Sequence, residues 1–218
     1  MGINNYAYEQ NSVHDWIITY KKNSEKQLID YLTEVCEIQD IEIMEHLTNV
    51  QELTRLLTEA YNNKNNRMLD DNFLESIIQF SILHDIGKSR IPEIIVNKPG
   101  RLNEFERKII EMHPLLGVAI LKEKTANIHY SSLDLNVAER IILYHHEKWD
   151  GTGYPYKIKG NDIPLEARIV AIVDVYDALT AERPYKRAWS KREARQYIFE
   201  QRGKHFDPNL VDLLLEII

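Results

Sequence analysis

Residues 166–180, EARIVAIVDVYDALT, are apolar on nearly every side of a 3.6-residue helix, and that one segment constrains the whole architecture. A helix without a broad polar face cannot lie on a surface; other elements have to wrap it. The rest of the chain supplies helices for the purpose. Spacings of three and four between apolar residues recur throughout, whereas no alternating run bounded by hairpin turns is convincing. The expected fold is therefore all-α, with one helical domain in a chain of 218 residues.

Local signals set the expected helices. Residues 24–36 and 38–61 read as two of them, the second carrying Ile41, Met44, Leu47, Leu53, Leu56 and Leu57, and the NNKNN stretch at 62–66 reads as an exposed loop that ends it. Asn72 with Glu75 resembles a capping box for a helix that stops near His84-Asp85, where Gly87 stands at the place of a C-terminal cap. Pro99-Gly100 marks a turn before a helix over 103–112, and Pro114 suits the opening of the next, to about Lys124. Further helices are expected at 134–147, 190–201 and 208–217. Residues 1–37 form a short N-terminal helical segment in this reading, and 38–218 the domain.

Composition removes several classes of function. A net charge of −7 argues against sequence-independent binding to a nucleic-acid polymer, which needs a basic surface. No apolar run approaches the roughly 20 residues of a membrane span, and the first residues lack the pattern of a secretory signal. The single cysteine, Cys36, forms no internal disulfide, which fits a reducing cytoplasm. The basic stretch RPYKRAWSKR (183–192) reads as a phosphate-facing loop leading into a solvated helix start, and Tyr185 within it is the tyrosine to test for stacking on a base.

Chemistry enters through polar residues set in apolar helices. Asp174 and Asp177 lie three apart on one face of the central helix, and a buried carboxylate needs a cation, a metal or several donors. His84-Asp85 closes an apolar helix, followed by Gly87 and by Lys88, placed to meet an anion; His14-Asp15 repeats the dipeptide in a polar segment and is discounted. Glu42 and His46 stand one turn apart, and His113 precedes Pro114. His145 and His146 are adjacent, so their side chains diverge by about 100° within an ideal helix and converge only on a centre at its end. Each feature alone has a bland explanation as a cap, an ion pair or packing. Together they form a mixed imidazole and carboxylate set larger than one ion needs, which suits two or more ions of iron, manganese, zinc or nickel. Such ions lower the pKa of water from 15.7 to about 7 and neutralise phosphodiester oxygens.

The segments HDIGK (84–88), KPGRLNEFE (98–106), MHPLLG (112–117), YHHEKWDGTGYP (144–155), IPLEARIVAIVDVYDALTAERPYK (163–186) and GKHFDPNLV (203–211) resemble, in order, the HD-GYP domain of the HD superfamily of metal-dependent phosphohydrolases. The resemblance covers roughly residues 42–216. It implies a helical bundle with the C-terminal HD-GYP extension, and a bacterial signalling phosphodiesterase that opens cyclic di-GMP to linear pGpG, in some members onward to GMP.

Position by position, the resemblance makes His46, His84, Asp85, His113, His145, His146 and Asp174 metal ligands, with Asp85 as the bridge, and Glu42 the additional ligand of members with a third metal. It implies two or three divalent transition metals, iron first among them. Lys88, Arg183 and Lys186 match positions that contact substrate phosphates, Lys88 also counting with Asp85 among the catalytic residues, and Asp177 matches a supporting position on the substrate side. The loop Gly151–Pro155 would shape the wall and meet protein partners, and a homodimer stays open. Asn49 stands where the family usually has arginine, which bears on substrate affinity. Two alternatives follow: a silent binding module that keeps the fold, and a phosphodiesterase for another nucleotide.

Overall fold

A computed structural model describes residues 41–126, 133–182 and 187–218, with side chains from residue 44 onward. Among them, helices carry the architecture; no strand forms, and one isolated bridge pairs Arg202 with Phe206. The first helix, α1 (Ile41–Lys64), runs three residues past its expected end. Asn62 is the reason: it is buried, and its side-chain oxygen accepts from Leu69 N at 2.9 Å, so the asparagine closes the turn from within. The NNKNN stretch is thus only partly an exposed loop. The expected helix over 24–36 lies outside the described residues.

Helix α2 (Asp71–Phe80) is capped by Asp70, whose carboxylate accepts from Phe73 N at 2.8 Å, and not by the expected Asn72. It gives way to two tight 3₁₀ turns, Ser81–Leu83 and Ile86–Arg90, between which His84 and Asp85 sit. A short helix α3 (Glu93–Val96) follows, then α4 (Glu104–Ile110), whose Asn103–Glu106 capping box satisfies its first amides. Helix α5 (His113–Thr125) opens on His113, one residue before the expected Pro114, which lies in its first turn, and α6 (Leu135–Tyr144) is capped by Asp134. The last three are α7 (Leu165–Thr180), α8 (Lys191–Glu200) and α9 (Pro208–Ile217).

Helix α7 is the buried centre. Ten of its sixteen residues are inaccessible, and it packs against α1, α6, α8 and α9. Val170 faces one apolar cluster with Phe80, Leu83, Ile141 and Ile142; Ile169, Ile172 and Val173 face a second with Leu57, Ile198, Leu210 and Leu214. Each fully buried aliphatic side chain contributes about 1.5–3 kcal/mol, so α7 links two cores that would otherwise be separate. Its buried Glu166 pairs with Arg140, and Arg168 reaches Asp207 at 2.5 Å while lying over the Trp149 ring. Trp149 N and Asp150 N donate to the carbonyls of His205 and Lys204, tying the loop after α6 to the segment before α9.

His205 stacks on Phe206, with ring centroids 4.1 Å apart. Burial, then the nearby Lys148 charge, push its pKa down to about 4. The folded state therefore keeps the ring neutral while the unfolded chain protonates it near 6.5. Its contribution is complete above pH 6.5 and is lost as pH falls from 6.5 toward 4. Between pH 7 and 5 the cost is about 2 kcal/mol at 1.36 kcal/mol per pKa unit. Thermal unfolding at the two pH values should show a smaller acid-induced drop for His205→Phe than for the natural chain; equal drops would refute the assignment.

Candidate metal centre

The structure gathers six histidine and aspartate side chains from five separate elements, and a seventh from the loop after α6. His46 comes from α1, His84 and Asp85 from the 3₁₀ turns, His113 from the first residue of α5, His145 from the end of α6, His146 from the residue after it, and Asp174 from α7. They divide into two groups. Ligand atoms of His46, His84 and Asp174 lie within 4.8 Å of one another, and so do those of Asp85, His113, His145 and His146.

Backbone geometry brings these side chains to one place. Helix α6 ends at Tyr144, three residues before its expected end, so His145 is the cap and His146 lies beyond it. That early stop releases the two rings from the divergence of helix geometry, and their centroids come within 4.1 Å. Gly87 serves a different purpose from the expected helix cap. A Cβ there would lie 1.9 Å from His113 O and 2.5 Å from Gly117 N, so its bare backbone lets the Ile86–Arg90 turn rest directly on α5.

Hydrogen bonds at Nδ1 fix the tautomers of the three most buried histidines. His84 Nδ1 donates to Ser81 O at 2.8 Å, His113 Nδ1 to Ile110 O at 2.7 Å and His145 Nδ1 to Ile142 O at 3.0 Å. Each carbonyl can only accept, so each Nδ1 carries a proton, and in the neutral ring Nε2 is then a bare lone pair. Those lone pairs point at carboxylate oxygens, which also accept only. His84 Nε2 lies 3.5 Å from Asp85 Oδ2 and 3.7 Å from Asp174 Oδ1; His113 Nε2 lies 3.2 Å and His145 Nε2 3.7 Å from Asp85 Oδ1. His84 Nε2 and Asp85 Oδ1 are buried with no hydrogen-bond partner. Lone pairs packed against lone pairs, away from water, call for a cation between them. Imidazole and carboxylate donors in this arrangement fit a divalent metal ion.

The ionisation states agree with that arrangement. Burial pushes His84 and His146 down and His113 to about 4, so these rings are neutral near pH 7 and free to ligate. For Asp85, burial acts to raise the pKa, but the Lys88 ammonium holds the carboxyl well below its usual range. Lys88 rests on Asp85 Oδ2 at the edge of the site.

Asp177, expected as a support on the substrate side, is 4% exposed and stands behind His46, whose Nδ1 donates to its Oδ2 at 2.6 Å. Burial lowers the His46 pKa, yet this hydrogen bond and the Asp174 charge raise it overall. Removing such an outer carboxylate commonly costs 10–100-fold in metal affinity. Asp177→Ala should therefore weaken binding at the His46–His84–Asp174 group by about that factor and leave the other group unchanged, as read by metal titration of the apoprotein. Equal weakening of both groups, or of neither, would contradict the assignment.

The backbone of Glu42 belongs to α1, but its side chain, like Arg183, Tyr185 and Lys186, lies outside the described residues. One structural residue escaped sequence reasoning. Glu147, 2% exposed, accepts the amides of Tyr156 and Lys157 at 2.7 and 2.9 Å and folds the glycine loop back on the two histidines. Its only sequence signal is position: a carboxylate directly after the paired histidines, where the apolar helix ends.

Comparison with known proteins places this geometry. Residues 37–210 match the family model described as HD domain. A 3'3'-cGAMP-specific phosphodiesterase 2 of Vibrio cholerae is 38% identical over 195 residues, which are 89% of this chain and 35% of the relative. A probable cyclic di-GMP phosphodiesterase of the same organism is 40% identical over 84% of this chain and 42% of its own length. The chain thus spans well under half the length of these relatives. Among solved structures, Bd1817, an HDG"Y"P protein from Bdellovibrio bacteriovorus, superposes with a TM-score of 0.61 at 21% identity, covering 91% of this chain and 62% of that one, which is a likeness of fold. No helix among the described residues is long and apolar enough to cross a membrane.

Proposed function

Since the chain belongs to the HD-domain family and carries the HD-GYP motifs in order, we propose that it is a metal-dependent phosphodiesterase that opens a cyclic dinucleotide, with cyclic di-GMP as first candidate and linear pGpG as product. The observation that carries this reading is the pair of ligand groups meeting at Asp85, whose two oxygens face different groups: Oδ2 lies toward His84 and Oδ1 toward His113 and His145. Two ions, one per group, suit that arrangement, and the mixed imidazole and carboxylate donor set suits iron first, with manganese, zinc or nickel as alternatives. A third ion would call on Glu42. When bound, such ions activate water and neutralise the charge of a phosphodiester.

The chain's own residues supply the rest. His84, His113 and His145 present Nε2 atoms on rings held by backbone carbonyls, and Asp85 of the second group faces His84 of the first. Lys88, 37% exposed in its side chain, brings a positive charge to the rim, where it would hold a non-bridging phosphate oxygen. Arg183 and Lys186 would extend that charge along the substrate.

The relatives named above act on two different cyclic dinucleotides, so the guanine–adenine mixed ring is the rival substrate. Anaerobic purification with metal analysis, followed by parallel incubation with cyclic di-GMP and 3'3'-cGAMP and chromatography of the products, tests both. Linear pGpG supports the first reading and a linear mixed dinucleotide the rival. Tight binding of either ring by metal-loaded protein without any product would replace both with a silent binding module.

A further inference from the structure

Four of the five site histidines take their ring orientation from a hydrogen bond at Nδ1, from Asp177 in one case and backbone carbonyls in the others. His146 does not. Among the described residues its ring has no hydrogen-bond partner, although it is a member of the Asp85–His113–His145 group. A ligand with a free torsion is a poor ligand, so something else has to hold the plane.

The neighbours of the ring are three other rings. His113 meets it edge-on, at 4.9 Å and 88°, and His145 is tilted by 42°. Tyr154 alone lies nearly parallel, at 4.7 Å between centroids and 30° between planes. Stacking of this kind restrains ring rotation because tilting either partner gives up contact area on both.

Tyr154 is itself held by the turn it supports. Its amide donates to His146 O at 3.2 Å, and the amides two and three residues later are gathered by the buried Glu147 carboxylate. Gly153 presses on the same turn; a Cβ there would meet Lys148 N at 2.4 Å and His146 O at 2.6 Å. The loop after the histidines thus folds back onto His146 and lays a phenol ring against it.

We propose that Tyr154 is a positioning residue for His146, its stacked ring fixing the imidazole plane that a hydrogen bond fixes in the other four histidines. The inference rests on the metal-centre reading and adds to it a task for the tyrosine of the GYP motif. The phenol ring, and not its hydroxyl, carries the effect.

Mn²⁺ titration of the chelator-stripped full chain, with free Mn²⁺ read by electron paramagnetic resonance, tests this without any substrate. The natural chain should show two classes of site. Tyr154→Leu should weaken one class by about 10–100-fold, the usual range for loss of an outer support, and leave the other in place. Tyr154→Phe should match the natural chain. In a His146→Ala background, Tyr154→Leu should cause no further weakening, since the ring it positions is gone. Three results would overturn the proposal: natural affinity in Tyr154→Leu, a Tyr154→Phe variant that loses the metal, or a Tyr154→Leu effect undiminished in His146→Ala. Should Tyr154→Leu fail to fold, Tyr154→Phe decides alone, because it removes one atom at constant ring area. Absence of bound Mn²⁺ from the natural chain would overturn the metal centre itself, and this inference with it, whereas the three other results leave that centre standing.

Discussion

Asp85→Ala is expected to abolish phosphodiester hydrolysis and to remove at least one metal ion per chain. Asp85 belongs to the second ligand group and faces the first: its Oδ2 stands 3.5 Å from His84 Nε2 and its Oδ1 3.2 Å from His113 Nε2. Loss of Asp85 depletes the second group and removes the carboxylate that faces His84 in the first. Charge stabilisation by a catalytic metal is worth several kcal/mol, so the rate should fall by roughly a thousandfold or more. The gain in melting temperature on adding metal should shrink as well. Metal analysis, turnover and melting with and without metal separate these effects. A metal-replete, fully active Asp85→Ala protein would sink the bridging assignment.

Buried lone pairs that face lone pairs are costly to the fold, and the cores around α7 offset that cost. This is also why the site was legible in the sequence. Histidines and aspartates that interrupt apolar helices are expensive unless they have a partner, and His84, Asp85, His113, His145, His146 and Asp174 all stood out for that reason. Helix α7 was legible because apolar residues cover nearly every side of it, leaving no broad polar face for solvent. Other features left no trace in side-chain chemistry. The carbonyls of Ser81, Ile110 and Ile142 set three tautomers, and every residue has a carbonyl. Asp70 outcompeted Asn72 as a cap through backbone conformation, its extended φ and ψ of −71° and 157° aiming the carboxylate at Phe73 N. Asn62 looked like loop composition because a buried asparagine is recognised only by its distant partner, here the amide of Leu69.

Gly87→Ala should unfold or empty the centre more effectively than any other single methyl group added to this chain's site. The position reads as a helix stop from sequence, yet its role is contact. The turn Ile86–Arg90 and the first turns of α5 touch backbone to backbone, which is how Asp85 and His113, from different elements, come to 3.2 Å. A Cβ on Gly87 would meet His113 O at 1.9 Å and Gly117 N at 2.5 Å, and neither can turn aside as a flexible side chain would. The elements must separate, moving His113 off the carboxylate it faces. Overpacking of this kind costs about 1–3 kcal/mol and occasionally more, and backbone obstacles put this case at the upper end. At about 2–4 °C per kcal/mol for a chain of this size, the melting temperature should fall by roughly 5–10 °C. Metal should be lost first from the Asp85–His113–His145–His146 group, since that group spans the forced gap. Gly117→Ala is the control. Its added Cβ would meet mainly the Ile142 Cγ2 methyl at 2.6 Å, a side chain that can repack, with Gly87 N at 3.2 Å. It should therefore cost less stability and keep more metal than Gly87→Ala. Calorimetry and metal analysis of the two variants side by side decide the matter: if they behave alike, or if Gly87→Ala melts and binds metal like the natural chain, close backbone approach is not what sets the distance between the ligands.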